Sequence, residues 1–442
     1  MKQSTLSRRS FLKASAAFAG WSLLPSNVWA NPPSKRFTTA HIGIGGMGGI
    51  DLKIIASHPA VQVVGLADVN KAQFGTDLVK SFTSAKHFVD YREMLATLGD
   101  KIDGVVISTP DHTHFPAAKL AMQLGKPIYC QKPLTHRIDE AIEFQSLARE
   151  KNTILQMGVQ LHASTGYRMA ADFLQQGLIG KVQHVYLWTD KNWGYDGPPY
   201  PGVDPVPENL DWNLWLGTAP VRPYLNGKYT PGQWRKILDY GCGTLGDMGV
   251  HLFDTPCRAL GLRYPTSVKA TCREPNNFSH PTRSNIEFEY PGTPFTAPTL
   301  HMTWYDGLDS PSVTPSKNPD LLLEEGRSLP KQGAMFVGEN GKRMLLQHPG
   351  GPEPLPRSLL ADFKKPNLPK IDHYHQWVDA AMGTGSCSAN LDYAVPLTIS
   401  NLLGVVSMGF PGQSLAWNSE TMKFSNNDAA NGLLTANYRK DY

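Results

Sequence analysis

The stretch "AHIGIGGMGG", Ala40–Gly49, runs an apolar, strand-like segment straight into Gly43-x-Gly45-x-x-Gly48. Glycines so spaced let the backbone turn tightly and approach a pyrophosphate at a helix N-terminus. The pattern alone is a common Gly-rich turn, so its context decides. The next apolar run, "VQVVGLAD", ends in Asp68, twenty residues beyond Gly48. A carboxylate there accepts from the adenosine ribose hydroxyls and repels a 2′-phosphate, so the spacing predicts NAD rather than NADP. Gly43, Gly45, Gly46, Met47, Gly48 and Asp68 are the expected dinucleotide-binding residues.

Downstream, "GVVIST", "KPIYCQ" and "TILQMG" are further strand-like runs, alternating with helical segments such as "HFPAAKLAMQLG". This β-α-β alternation predicts a doubly wound parallel sheet in a domain over residues 31–157. The character changes after Met157. A helix is expected over Gly166–Gln176 and another over Leu245–Leu260. Runs such as "SVKATCR", "SNIEFEY", "TLHMTWYD", "GAMFVGEN" and "KRMLLQH" read as strands of a large, open, mainly antiparallel sheet. The expected second domain is α+β and covers 158–442, with an aromatic-rich loop at 190–240.

The first thirty residues are set apart. Arg8 and Arg9, the apolar run Ala14–Leu24 and "NVWA" ending at Ala30 have the layout of a twin-arginine export signal. The apolar run is short for a bilayer span; an N-terminal anchor left uncleaved is the alternative reading. Export to the periplasm or beyond is therefore expected, with no membrane partner after signal removal. Removing 1–30 deletes four basic residues (Lys2, Arg8, Arg9, Lys13) and no acidic one, leaving 38 Lys+Arg against 38 Asp+Glu. The mature chain is thus near neutral, which argues against a nucleic-acid partner. Five cysteines without a C-x-x-C pair argue against a zinc site built of thiolates.

Two short stretches carry acid–base chemistry. "IYCQKPLTH", Ile128–His136, puts Lys132 at the end of a buried strand, where a cation needs a partner or a use. "DMGVH" spaces Asp247 and His251 four apart, predicting one helix face on which the carboxylate orients the imidazole as a general base. A rate limb near histidine's usual pKa of about 6.5 would follow. A capping Asp beside a packed His fits the same spacing. Five tryptophans fall between 188 and 234, and aromatic faces cover the C–H faces of sugars. Trp193 and Tyr195, with Gln160 and His162, are expected to face substrate. His112 and His114 with His251 and Asp247 have metal-ligand types, but no metal is expected.

The glycine motif, Asp68, "TPDHTH", "QKPLTH", "LGDMGVHLFD" and the twin-arginine signal together resemble the Gfo/Idh/MocA oxidoreductases, in their exported bacterial branch. The resemblance implies a Rossmann domain followed by a large open sheet, and a homo-oligomer. It implies that Lys132 matches the lysine of an E-K-P motif between nicotinamide and substrate hydroxyl, and that Asp247 and His251 are catalytic. Thr109, Pro110, His114 and Gln131 would line the cofactor. Gln131 departs from the family's Glu, which removes a negative charge beside Lys132 and makes its cation less favoured. The implied activity is oxidation of a sugar, polyol or glycoside CH–OH group with a tightly held cofactor. Two alternatives are a redox-neutral glycoside hydrolase or lyase, working by transient oxidation and elimination, and a cofactor-bearing binding protein without turnover.

Overall fold

The computed structural model describes residues 36–324, 327–361, 363 and 365–440. The expected export signal lies outside the described residues.

The chain from Phe37 opens with strand β1 (Phe37–Ile42), helix α1 (Met47–Ala56), β2 (Val61–Ala67), β3 (Lys86–Phe88) and α2 (Tyr91–Leu98). Next come β4 (Gly104–Ile107), α3 (His114–Gln123), β5 (Ile128–Gln131), α4 (Ile138–Glu150) and β6 (Leu155–Gly158). The six strands pair in parallel in the order β3-β2-β1-β4-β5-β6. β1, β4, β5 and β6 are buried almost throughout, as a parallel sheet covered on both faces requires. β3 was not apparent in the sequence, because "KHF" is a short, largely exposed edge strand with no apolar run.

The rest of the chain supplies α5 (Thr165–Gln175), β7 (Val182–Thr189), α6 (Val250–Leu260), β8 (Ser267–Thr271), β9 (Asn285–Pro291), β10 (Thr296–Asp306), β11 (Gln332–Val337), β12 (Arg343–Gln347) and β13 (Pro352–Leu355). It closes with α7 (His373–Ala381), α8 (Leu391–Ser407), β14 (Ser414–Asn418) and β15 (Lys423–Phe424). Its nine strands are ordered β13-β12-β11-β7-β10-β9-β8-β14-β15, antiparallel except for the parallel pair β7–β10. β8 and β9 alternate buried and exposed residues, the mark of a sheet with one covered face.

α7 comes from the far end of the chain but packs on the first sheet. Its Trp377 is fully buried and meets the Phe37 ring edge-on at 5.6 Å. Trp377, Tyr374 and Val378 share a core with Leu52 and Ile55 of α1 and Val61 and Val63 of β2. α1 and α7 therefore cover one face of the sheet together. All five cysteines are unpaired, and four of them are buried.

Candidate active site

The glycine loop forms because side chains do not fit there. Gly43 has a φ of 78°, and a Cβ on it would stand 2.7 Å from the Ser108 carbonyl oxygen. A Cβ on Gly48 would overlap the Gly43 carbonyl. The loop delivers the chain to α1, which begins at Met47 with no acidic residue in its first turn. Asp68 braces the same loop: Oδ2 accepts from Ile44 N at 3.0 Å and Oδ1 from Asn70 N at 2.8 Å. The expected ribose acceptor is thus also a tie between two backbone segments.

A cavity of about 720 Å³ runs from this loop to the turn that precedes α6. Gly43, Gly45, Gly46, Met47 and Asp68 line one end. Thr109, Pro110, Gln131 and Gln160 also line the cavity, and Lys132, Asp247 and His251 line the other end. The residues present fit a dinucleotide: a backbone that only glycine allows, a helix N-terminus open to an anion, and a carboxylate placed for the ribose.

Lys132 directly follows β5, and its bond to Pro133 is cis. Its Nζ lies 2.7 Å from both Asp247 Oδ1 and the Asp247 carbonyl oxygen. Asp247 also accepts from Arg235 Nε at 2.9 Å and, through Oδ2, from Trp193 Nε1 at 2.8 Å. Burial would raise its pKa, but the charges of Lys132 and Arg235 outweigh burial and hold the carboxyl well below the usual carboxylate range. Lys132 accordingly has an acidic partner despite the neutral Gln131.

That arrangement corrects the expected Asp247–His251 pair. The carboxylate oxygens serve Lys132, Arg235 and Trp193, not the imidazole. The reason is local: Leu245–Gly249 is a π-helical turn running into α6. Residues four apart do not stack there as they do on an α-helix, and such turns are frequent at functional sites. Close packing holds the turn. A Cβ on Gly246 would overlap Cys242, and one on Gly249 would overlap the Asn401 amide. His251 instead neighbours His348, ring centroids 5.4 Å apart, and its Nδ1 is buried without a hydrogen-bond partner among the described residues. Burial, helped by the Lys132 charge, pushes its pKa well below the ordinary value, so His251 is neutral.

Gln131 belongs to a second buried group. Its Nε2 donates to both oxygens of Asp51, on α1, at 3.1 and 2.8 Å, and its Oε1 accepts from Lys132 N at 3.3 Å. Ser108 Oγ donates to Asp51 at 2.7 Å. Burial pushes the Asp51 pKa up to about 6 against these hydrogen bonds.

Several expected contacts fall elsewhere. His114 does not line the cavity; it is buried, with its ring nitrogens 2.7 Å from Pro133 O and 2.9 Å from Thr109 O. His162 is buried behind α6, its Nδ1 2.6 Å from Asp254 Oδ1. Tyr195 packs against Tyr200 and Phe278. Trp193 holds Asp247 and Arg235 rather than the cavity wall. The aromatic residues that do line the cavity are Tyr91, Trp215, Tyr224 and Trp234. Trp215 stacks on Trp212 at 4.6 Å within a cluster that also includes Tyr229 and Tyr240, so "LDWNLWLG" packs and lines at once. The sequence reading missed Asp51, Asp111, Lys191 and Arg235. An acid on the inward side of "GGIDLKII" was the one available signal, and it pointed to Asp51.

Two family models match the chain: the NAD-binding Rossmann fold of the oxidoreductase family over residues 37–159, and the C-terminal alpha/beta domain of that family over 172–291. Together they cover more than half the chain, and the class they define is that of Rossmann-fold oxidoreductases. The chain belongs to the Gfo/Idh/MocA family. It is 27% identical to a D-xylose 1-dehydrogenase [NADP(+)] of Haloarcula marismortui, over 46% of this chain and 56% of that one. It is 32% identical to a glycosyl hydrolase family 109 protein of Stenotrophomonas maltophilia, over 41% of each. The chain spans about half the length of the first curated relatives it matches. Among solved structures, GenD2 from gentamicin A biosynthesis, in complex with NAD, is similar in fold, with a TM-score of 0.58 at 19% identity over 90% of this chain and all of that one.

Proposed function

We propose that this chain is an exported NAD-dependent oxidoreductase that acts on the CH–OH group of a sugar, polyol or glycoside and keeps its cofactor tightly bound. The observation that carries this reading is the Lys132–Asp247 ion pair, at 2.7 Å, in the same cavity as the glycine loop and Asp68. The glycine loop and Asp68 would hold a dinucleotide, whose nicotinamide would supply the hydride acceptor for the carbinol carbon. The Lys132 ammonium, fixed by Asp247, stabilises the oxygen that loses its proton. The neutral imidazole of His251, at the same end of the cavity, takes that proton. Trp215 and Trp234, largely buried in the cavity lining, give the sugar's C–H surface an apolar wall and keep water away. The Asp68 carboxylate favours NAD over NADP.

Export removes the enzyme from a replenished NAD pool, so retention and internal regeneration of the cofactor belong to the proposal, as does a homo-oligomer. A second reading, redox-neutral glycoside cleavage, draws on the Stenotrophomonas relative. In it a hydroxyl is oxidised, the adjacent C–H becomes acidic, the aglycone leaves by elimination, and the hydride returns. Incubating the protein as purified with mixed sugars and glycosides, without added NAD, tests both. Exchange of hydride between a sugar and a ketose supports the first reading, and release of aglycone supports the second. If a cofactor-loaded preparation gives neither, both readings fail.

A further inference from the structure

The reaction end of the cavity carries more positive charge than its own carboxylates match. Lys132, Lys191 and Arg235 line it, against Asp111 and Asp247. Asp247 is shared by two of the three cations, Lys132 and Arg235. Asp111 is buried, and its Oδ2 accepts from Cys242 N at 3.1 Å. Burial, opposed by Arg235 and Lys132, pushes its pKa up to about 7, so it offsets the excess only in part near neutral pH.

Arg235 is held as a rigid plane. Its guanidinium lies 4.3 Å from the Trp234 ring centroid and 5.3 Å from that of Trp193. Nε is committed to Asp247. The two Nη groups have no hydrogen-bond partner among the described residues. A planar fork with its far edge unused suits a carboxylate in two-point contact. Lys191, at the exposed rim, donates to Met248 Sδ at 3.2 Å and forms no ion pair among the described residues. A second cation lining the same cavity thus lacks an anion of its own.

We infer that the substrate is an acidic sugar, a uronic acid or its glycoside, whose carboxylate is held by the Nη edge of Arg235 and by Lys191. This rests on the proposed oxidoreductase site and names its substrate class. The carboxylate supplies the missing anion, and its two oxygens match the guanidinium fork. The ring then lies against Trp215 and Trp234, with a carbinol within reach of Lys132.

The test uses the cofactor-loaded protein and three probes: methyl glucuronide, methyl glucoside and glucose 6-phosphate. Affinity is measured by calorimetry, and reduction of the bound cofactor by its ultraviolet absorbance. The glucuronide should bind at least tenfold more tightly than the glucoside. Lys191→Gln and Arg235→Gln should each reduce that ratio about tenfold, with Lys191→Gln the cleaner change because Lys191 makes no hydrogen bond to Asp247 or His251. An unchanged ratio in folded Lys191→Gln and Arg235→Gln overturns the inference, as does equal binding of glucuronide and glucoside by the unaltered protein. Preference for the phosphate over the glucuronide also overturns it. Glucuronide binding that depends on both residues, without cofactor reduction, would keep the inference and sink the oxidoreductase reading. Reduction by the glucoside with no glucuronide preference would do the reverse.

Discussion

Gln131 Nε2 donates to both carboxylate oxygens of Asp51, so the negative charge that relatives are expected to carry at residue 131 sits beside it, on α1. The pair is an acid and an amide with their positions open to exchange. Gln131→Glu should set two carboxylates in contact and force one to keep a proton. At pH 8 this should cost about 2 kcal/mol of stability, the scale of one to two pKa units of like-charge repulsion. Adding Asp51→Asn should recover most of the loss. Urea unfolding of the two single variants and the double variant gives the coupling. Purely additive losses would show that the two side chains do not act as a pair.

Lys132→Met keeps most of the stem and removes the ammonium. Turnover should fall about 10²-fold or more, the size expected for one electrostatic contact to a developing oxyanion. Asp247 keeps Arg235 and Trp193, so folding and cofactor retention should largely survive. Steady-state rates together with cofactor content per chain measure both. A variant that turns over normally would remove Lys132 from the chemistry.

The parts of the site that were legible in the sequence are those written locally. The glycine spacing, Asp68 and the strand-end Lys132 each depend on a few neighbouring residues. The Asp247–His251 relation was misread because α-helical spacing was assumed where the chain makes a π-helical turn, and nothing in "LGDMGVH" marks one. His162 and Tyr195 were placed at the substrate because histidine and tyrosine look the same in sequence whether they pack or bind. Asp51 and Arg235 reach the site only through tertiary contacts. α7 was invisible as part of the first sheet's cover because nearly the whole chain separates it from α1.

Asp68 predicts the cofactor. Extraction of protein purified from its native source, followed by mass analysis, should yield NAD. Asp68→Asn should weaken cofactor retention and relax the exclusion of NADP, since the repelling charge is gone while one oxygen still braces the loop. NADP as the sole extracted nucleotide would contradict the assignment.

Buried histidines make the fold acid-sensitive. Burial lowers the pKa of His41 to about 3 and of His112, His114, His184, His280, His348 and His373 to about 4, and holds His136 and His251 well below their ordinary value. The unfolded chain regains the ordinary histidine pKa, so it binds more protons below about 6.5, and stability is lost as pH falls. Asp51, raised to about 6, and Asp111, Glu140 and Asp306, raised to about 7, act the other way and cost stability as pH rises from about 4 to 7. At pH 5 the nine histidines outweigh the four acids. Unfolding free energy should therefore drop between pH 6.5 and 4.5, by about 1.4 kcal/mol per pH unit for each net proton. Urea titrations showing equal or greater stability at pH 5 than at pH 7 would reject this balance.

The neutrality of His251 replaces the rate limb expected from histidine's ordinary pKa. Burial and then the Lys132 charge push the imidazole well below that value. His251 should be in its proton-accepting form at both pH 5.5 and pH 8. His251→Gln should lower kcat/KM about 10²-fold, the loss expected for a general base, and by the same factor at both pH values. Had His251 titrated at about 6.5, only about a tenth of it would be neutral at pH 5.5, and the ratio of wild type to variant would shrink about tenfold there. A ratio that shrinks in this way would return His251 to an ordinary solvated histidine. The Lys132 contribution has its own readout. NMR titration, with the His251 signal identified by its loss in His251→Gln, should show the pKa rising in Lys132→Met, where the repelling cation is gone. It should fall further in Asp247→Asn, because the Asp247 charge raises it. Opposite movements in these two variants are what a through-space electrostatic origin requires. A shared downward shift would point instead to a common change in burial.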